Sequence, residues 1–321
     1  KDTVARDKLP IMSMSCPNRA VYPVGYHFLC RPVYPDCFGF FLKWAKEKWD
    51  ADRAAGKVPD RDPRIVYIAP DHPYGMAGYT PETIAYAESI GWEWAGTKSI
   101  ITPMRMTTAT LQVEQASSWG ADYVFFHFIN PLPTVFAKDA TKLGKMWKEK
   151  VFPKPEGTFW FHAPTPDAFD RATLEYAGPE TMENWYGGMG FAEADDPAMK
   201  TMTKYFQKNY PGESPHMCNS YGIGWVKCYV QIEAIKLALE DVPFEELTPK
   251  DIAVHGVSKM GPNYPSYGMM GAIDYTDGNR AGVNQMQMYR YHNGKAERMS
   301  DWEEAPHCPP EGFTWPPATG Y

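Results

Sequence analysis

Ile65-Val66-Tyr67-Ile68-Ala69 is a run of five apolar residues bounded by Asp60-Arg61-Asp62-Pro63 and by a turn-rich stretch over 70–79. A continuous apolar run of that length between breakers fits a strand covered on both faces. Thr80-Pro81-Glu82 follows, with Thr80 placed as an N-cap and Pro81 at the first helical position. The predicted helix carries Ile84, Ala87 and Ile90 and stops near Gly91. Upstream, Phe38, Phe41, Leu42, Ala45 and Trp49 recur at helical spacing with charges on the other face. The strand–helix unit then repeats. Strands near 99–101, 123–128 and 159–162 precede helices near 107–118, 134–143 and 168–176. Apolar strands alternating with helices predict a doubly wound α/β sheet over about 35–190.

The rest of the 321 residues predicts a second unit with return crossings. Segments 197–210 and 221–240 read as helices, the second with Val226, Val230, Ala234 and Leu237 in its buried stripe. Thr248-Pro249-Lys250-Asp251 carries a capping-box signature. Asp277-Gly278 and Asn293-Gly294 are hairpin signals. The tail from 305 carries five prolines and reads as an extended strap.

Composition narrows the function. Hydrophobic residues make up 44%, enough for a real core, so a disordered chain is excluded. Net charge is -7 with no basic stripe, which argues against a nucleic-acid partner. No run approaches a membrane span, and no signal segment is present in these residues. Six cysteines (Cys16, Cys30, Cys37, Cys218, Cys228, Cys308) show no C-x-x-C or zinc-finger spacing, and both paired and free thiols stay open. There is no G-x-G-x-x-G, Walker A, G-x-S-x-G or H-E-x-x-H motif. No cofactor and no metal are expected.

One constellation carries chemistry. His72, His127 and His162 fall at or just beyond the carboxyl ends of three predicted strands, the edge where open α/β sheets bind ligands. Asp71 and Tyr74 share the first loop, Asn130 follows the second strand and Thr165 the last. Together they predict a polar ring facing one crevice. Two other readings stay open: a metal-dependent hydrolase using the three histidines with Asp71 as base, or histidines that satisfy backbone groups at strand ends. Tyr22, Tyr26, Tyr34, Tyr74, Tyr264 and Tyr267 lie in Pro/Gly-rich loops, where tyrosines cover surfaces or wall pockets.

Lys8-Leu9-Pro10-Ile11-Met12-Ser13-Met14-Ser15 and Tyr26-His27-Phe28-Leu29-Cys30-Arg31-Pro32 resemble the inter-lobe region of type I periplasmic substrate-binding proteins. The closest branch is the Leu/Ile/Val-binding group that serves ABC importers. The similarity continues through Asp71-His72-Pro73-Tyr74-Gly75, Gly120-Ala121-Asp122-Tyr123-Val124, Tyr221-Gly222 and Ile273-Asp274-Tyr275-Thr276-Asp277-Gly278-Asn279-Arg280. The resemblance implies two α/β lobes on a multi-strand hinge: 1–34 with 191–259 as a remnant of the first lobe, 35–190 with 260–304 as the second, and 305–321 as the strap. Family members begin with three further βα units, about 90–100 residues at ~30 per step, which this chain lacks. The first lobe is therefore expected to be incomplete, with the missing part supplied by another segment or chain.

Carried over residue by residue, the resemblance implies a binding receptor and no enzyme. Its partners would be a small organic ligand and a membrane permease, and its place periplasmic or extracellular with a membrane anchor. A monomer is expected, with a sensory ectodomain as the alternative use of the fold. Ser13, Ser15 and Cys16 would present donors to a carboxylate. Tyr74 matches a pocket tyrosine, while Ile129 and Asn130 replace another, next to Phe128. His162 and Ala163 stand where amino-acid-binding members place the acid that holds the ammonium. Tyr264 and Tyr267 would form an aromatic wall. Without that acid, the expected ligand is a carboxylate with an aromatic or apolar body; an amino acid is the alternative.

Overall fold

The computed structural model describes residues 2–13, 15–22, 24–129, 132–163, 168–262 and 264–308, with the side chains of 2, 3, 5, 161 and 163 left aside. Helix α1 (Asp2–Asp7) leads into strand β1 (Ile11–Ser13), and α2 (Asn18–Val21) connects it to β2 (His27–Leu29). The two strands are parallel, with Ile11 opposite His27 and Met12 opposite Phe28. Chain then crosses into α3 (Tyr34–Ala54), β3 (Arg64–Pro70), α4 (Pro81–Ser89), β4 (Glu93–Thr102), α5 (Thr110–Ser118) and β5 (Tyr123–Phe126). It continues through α6 (Leu132–Lys142), β6 (Trp160–Ala163), α7 (Arg171–Ala177), α8 (Pro179–Met182) and β7 (Trp185–Met189). Helices α9 (Lys200–Asn209) and α10 (Asn219–Asp241) follow, then β8 (Ile273–Asp274), β9 (Gly282–Val283), β10 (Gln285–His292), β11 (Lys295–Arg298) and β12 (Glu303–Glu304).

The large sheet has the order β11-β10-β7-β6-β5-β3-β4, with β12 beside β10. Strands β3 to β7 are parallel, as the alternation predicts, but β10 and β11 add an antiparallel edge. Asn293 (φ 50°) and Gly294 (φ 82°) close that hairpin, as the Asn-Gly signal requires. Asp277-Gly278 instead sits in a helical turn between the short strands β8 and β9. Pleating splits the central strands between two cores. Tyr67, Tyr123 and Phe125 pack under Phe38, Phe41 and Trp49 of α3. Val66, Ile68, Val124 and Phe126 pack with Val113, Ala116, Phe136 and Ala137 of α5 and α6.

Strand β4 is longer than its 99–101 core suggests; within it Gly96 (φ 55°) lies against the Trp119 indole, and the register with β3 slips between Ile65 and Tyr67. Thr80 caps α4 in a reciprocal box with Thr83, and Thr248 does the same with Asp251. Around Arg31 the crossings run side by side. Leu29 N–H donates to the Arg280 carbonyl at 2.8 Å, and Ala192 N–H to that of Met269 at 2.8 Å. All six cysteines are free thiols, four of them buried. At the strap, Cys308 N–H and His307 Nδ1 both meet the buried Asp36 carboxylate at the start of α3; 309–321 lie outside the described residues. Among the described residues no helix is long and apolar enough to cross a membrane.

Candidate functional site

Strand β3 delivers the loop with Asp71, His72 and Tyr74, and β5 delivers His127 just past its end. The loop turns tightly: a Cβ on Gly75 would lie 2.3 Å from Pro70 Cδ. That turn holds the Gly75 carbonyl 2.8 Å from Tyr67 Oη, which is also 2.5 Å from His127 Nδ1. A phenol has one proton. When it goes to Gly75, His127 Nδ1 carries its own hydrogen and donates to the phenol oxygen, leaving Nε2 as an acceptor. Nε2 is buried and has no hydrogen-bond partner among the described residues. Burial, assisted by the Arg31 cation, pushes the His127 pKa down to about 3, so the ring is neutral.

Tyr34, the first residue of α3, joins this loop to the Ser13–Cys16 segment. Its ring meets Tyr74 edge-on at 5.5 Å and His127 at 4.8 Å, and Tyr74 lies 4.7 Å from His127. Tyr34 N–H donates to the Cys16 carbonyl at 2.9 Å. Cys16 is fully buried, and its Sγ accepts from Arg31 Nε at 2.7 Å. The Arg31 guanidinium stands 5.4 Å from the Tyr34 ring centroid. Ser13 Oγ donates to the Ser15 carbonyl at 3.0 Å, shaping the turn. Beside it opens a cleft of about 630 Å³ lined by Ile11, Ser13, Ser15, Arg19, Tyr22 and His27 among others. That volume suits a small organic molecule. Hydroxyls, guanidinium charge and aromatic faces can bind and orient an anion by hydrogen bonding and packing.

Other expected residues go elsewhere. His162 is fully buried between Phe41 (3.8 Å, stacked) and Phe125 (5.4 Å), and burial holds it neutral. It faces the α3 core because β6 pairs it with Phe125, so it takes no part in the Tyr34–Tyr74–His127 group. Phe128 stacks on Phe126 in the opposite core, at 4.4 Å. Tyr264 donates to Glu233 of α10 at 2.7 Å, and the exposed Tyr267 meets Tyr229 of α10. The expected aromatic wall therefore lies on α10, where Glu233 offers the phenol an acceptor. Asn130 lies outside the described residues, and Ala163 is described by its backbone, which pairs with Gly187. Asp71 and His72 are exposed, and Tyr74 N–H donates to His72 Nδ1.

The three histidines do not converge on a metal. Among the described residues the group with ligand spacing is Glu193, Asp195 and His216. There His216 Nε2 accepts the Ala296 N–H at 3.2 Å, so Nδ1 carries the hydrogen toward both carboxylates and offers no lone pair. Sequence reasoning missed Arg31 and Tyr67, and it read Tyr34 only as one of several loop tyrosines. The legible signal was Arg31 itself, a cation inside the otherwise apolar run from Phe28 to Tyr34.

A family model described as periplasmic binding protein matches residues 1–296. Similar solved structures include a branched-chain amino acid ABC transporter protein from Thermus thermophilus with bound valine. It is 17% identical with TM-score 0.75, over 94% of this chain and 74% of that one. A leucine binding protein from Thermotoga maritima is 15% identical with TM-score 0.69, over 93% and 74%. A fatty acid ABC transporter substrate-binding protein from Thermomonospora curvata is 14% identical with TM-score 0.74, over 99% and 74%. No curated protein sequence matches the chain.

Proposed function

Because the chain belongs to the periplasmic binding protein family, we propose that it is the extracytoplasmic solute receptor of an ABC importer. On this reading it closes over a small carboxylate-bearing ligand with an aromatic or apolar body and presents it to a membrane permease. Residues 1–34 with 191–259 form one lobe, and 35–190 with 260–304 the other. The carrying observation is the meeting of the Ser13–Cys16 loop, Arg31, Tyr34, Tyr74 and His127 where the crossings run together. A ligand touching both sides of such a junction drives hinge closure by binding the closed form better. The neighbours' named ligands, valine and fatty acid, share a carboxylate. Binding alone needs no nucleophile, which suits a receptor and not an enzyme.

One observation favours an amino-acid ligand as the second reading: the neutral His127 turns an unprotonated Nε2 to its surroundings, an acceptor that suits an ammonium or hydroxyl donor. Calorimetric titration separates the two. Benzoate-like acids are expected to bind, with affinity lost in the Ser13→Ala/Ser15→Ala variant while the apo melting temperature moves little. Binding of leucine, isoleucine, valine or phenylalanine with no response to the acids supports the second reading and overturns the first.

A further inference from the structure

At the N-terminal ends of its central strands, opposite the ligand edge, the large sheet borders a second polar pocket of about 240 Å³. Arg64 opens β3, Gly120 and Asp122 lead into β5, and Lys154 and Glu156 come from the chain before β6. Together with Arg61 they line it. Asp122 is saturated. Its Oδ1 accepts from Lys154 Nζ at 2.9 Å and Arg61 Nη2 at 3.1 Å, and its Oδ2 from Arg61 Nη1 at 2.6 Å and the Arg64 N–H at 2.9 Å. Four bonds use up the lone pairs of a carboxylate. Donors are left over. The Lys154 side chain is 2% exposed, yet one of its three ammonium hydrogens has an acceptor among the described residues. Arg64 Nε donates to Glu93 at 2.9 Å, and neither Nη has an acceptor among the described residues. Nη1 lies over Gly120, where a Cβ would stand 3.4 Å away.

Charge follows the hydrogen bonds. Arg61, Arg64 and Lys154 face Asp122 and the exposed Glu156, which leaves one cation in excess in the lining. The Arg64–Glu93 pair beside it is solvent-exposed and weakly held. Burial lowers the Lys154 pKa even against the pull of Asp122, so a carboxylate shared with Arg61 does not replace the water that the ammonium gave up. We propose that the pocket binds a small oxyanion of the sulfate or phosphate type, with the Lys154 ammonium and the Arg64 fork as its donors. A guanidinium presents two parallel N–H groups to such an anion, and an ammonium adds a point charge. The volume is many times the ~15 Å³ that admits one water, so a polyatomic ion fits. The exposed Glu93 and Glu156 and the net charge of -7 repel an acidic peptide or an anionic membrane, so the occupant is a free small ion. Bound there, it ties β3, the start of β5 and the chain before β6 together, at the other end of the sheet from Tyr74 and His127.

Sulfate is the probe, because it keeps its charge at every working pH. It is titrated into the protein by calorimetry at constant ionic strength, balanced with sodium chloride. The expected result is saturable binding of one sulfate per chain. Arg64→Gln removes the fork but keeps the backbone bond to Asp122, so its unfolding midpoint without sulfate should stay near that of the parent. Its sulfate affinity should fall at least fivefold. Arg64→Lys, which keeps the charge without the fork, should lie between the two and carries the comparison if the glutamine variant does not fold. Ser13→Ala/Ser15→Ala should bind sulfate like the parent. A heat of dilution alone, equal affinity in parent and Arg64 variants, or binding lost in the serine variant, which puts the anion in the cleft beside Ser13, would each overturn the proposal.

Discussion

Replacing Asp122 with Asn tests how the large sheet is fastened at the end opposite the ligand edge. Asp122 is 1% exposed and accepts from Lys154 Nζ at 2.9 Å, from Arg61 Nη1 at 2.6 Å and from the Arg64 N–H at 2.9 Å. The Lys154 side chain is 2% exposed, and burial lowers its pKa against the pull of Asp122. Asp122→Asn keeps the shape and one acceptor but removes the carboxylate that Lys154 is bonded to among the described residues. Breaking a buried pair by removing one partner costs about 3–5 kcal/mol. Arg61 is partly exposed and adds little beyond that. A loss of this size is a large fraction of the roughly 5–15 kcal/mol that folds a domain. Urea denaturation followed by circular dichroism should show it as a lowered midpoint at unchanged slope. Asp122→Leu/Lys154→Met should be less destabilised than Asp122→Asn, since it leaves no buried ammonium unpaired and only the partly exposed Arg61 without its carboxylate. A single variant within about 0.5 kcal/mol of the parent, on the scale of an ordinary surface substitution, would refute the reasoning.

Two pH effects follow from histidines, the buried His127 and the half-exposed His307. The His127 pKa is lowered to about 3 from 6.5, so the unfolded ring takes up its proton first and stability falls as pH drops below 6.5. By pH 4 this amounts to about 3 kcal/mol, and His127→Gln should flatten the acid limb of the stability profile. An identical slope in parent and variant would count against a neutral buried ring. At the strap, the bond to Asp36 raises the His307 pKa, so its contribution is complete below the unfolded value of 6.5 and is lost as pH rises through the raised one. Hydrogen exchange at the Cys308 N–H should therefore quicken at alkaline pH beyond the intrinsic increase, and His307→Gln should abolish that extra dependence.

Strands β3, β5 and β6 and the core of β4 were legible because each is a local signal, an apolar run or short strand followed by a helix; β7 (Trp185–Met189) was not predicted. Thr80 and Asn293-Gly294 announced their turns for the same reason. The antiparallel edge was not legible as part of that sheet, since β10 alternates like any half-buried strand and its pairing with β7 is decided by distant chain. The strand ends placed Tyr74 and His127 at one sheet edge, and the structure brings their rings together there at 4.7 Å. Which face a strand-end side chain takes depends on register. His162 and Phe128 read alike in sequence, yet pleating turns one into the α3 core and the other into the α5–α6 core. Tyr264 shows a different limit: its loop was read correctly, but its acceptor, Glu233, lies 31 residues away on α10.

Native mass spectrometry of the protein as purified, without added ligand, tests the receptor claim most directly. The expected result is a one-to-one adduct with the mass of a small carboxylic acid, released on gentle activation and absent from the Ser13→Ala/Ser15→Ala variant. A carboxylate adduct retained undiminished by that variant, or a bare protein that also fails to bind any carboxylate added back, would contradict it.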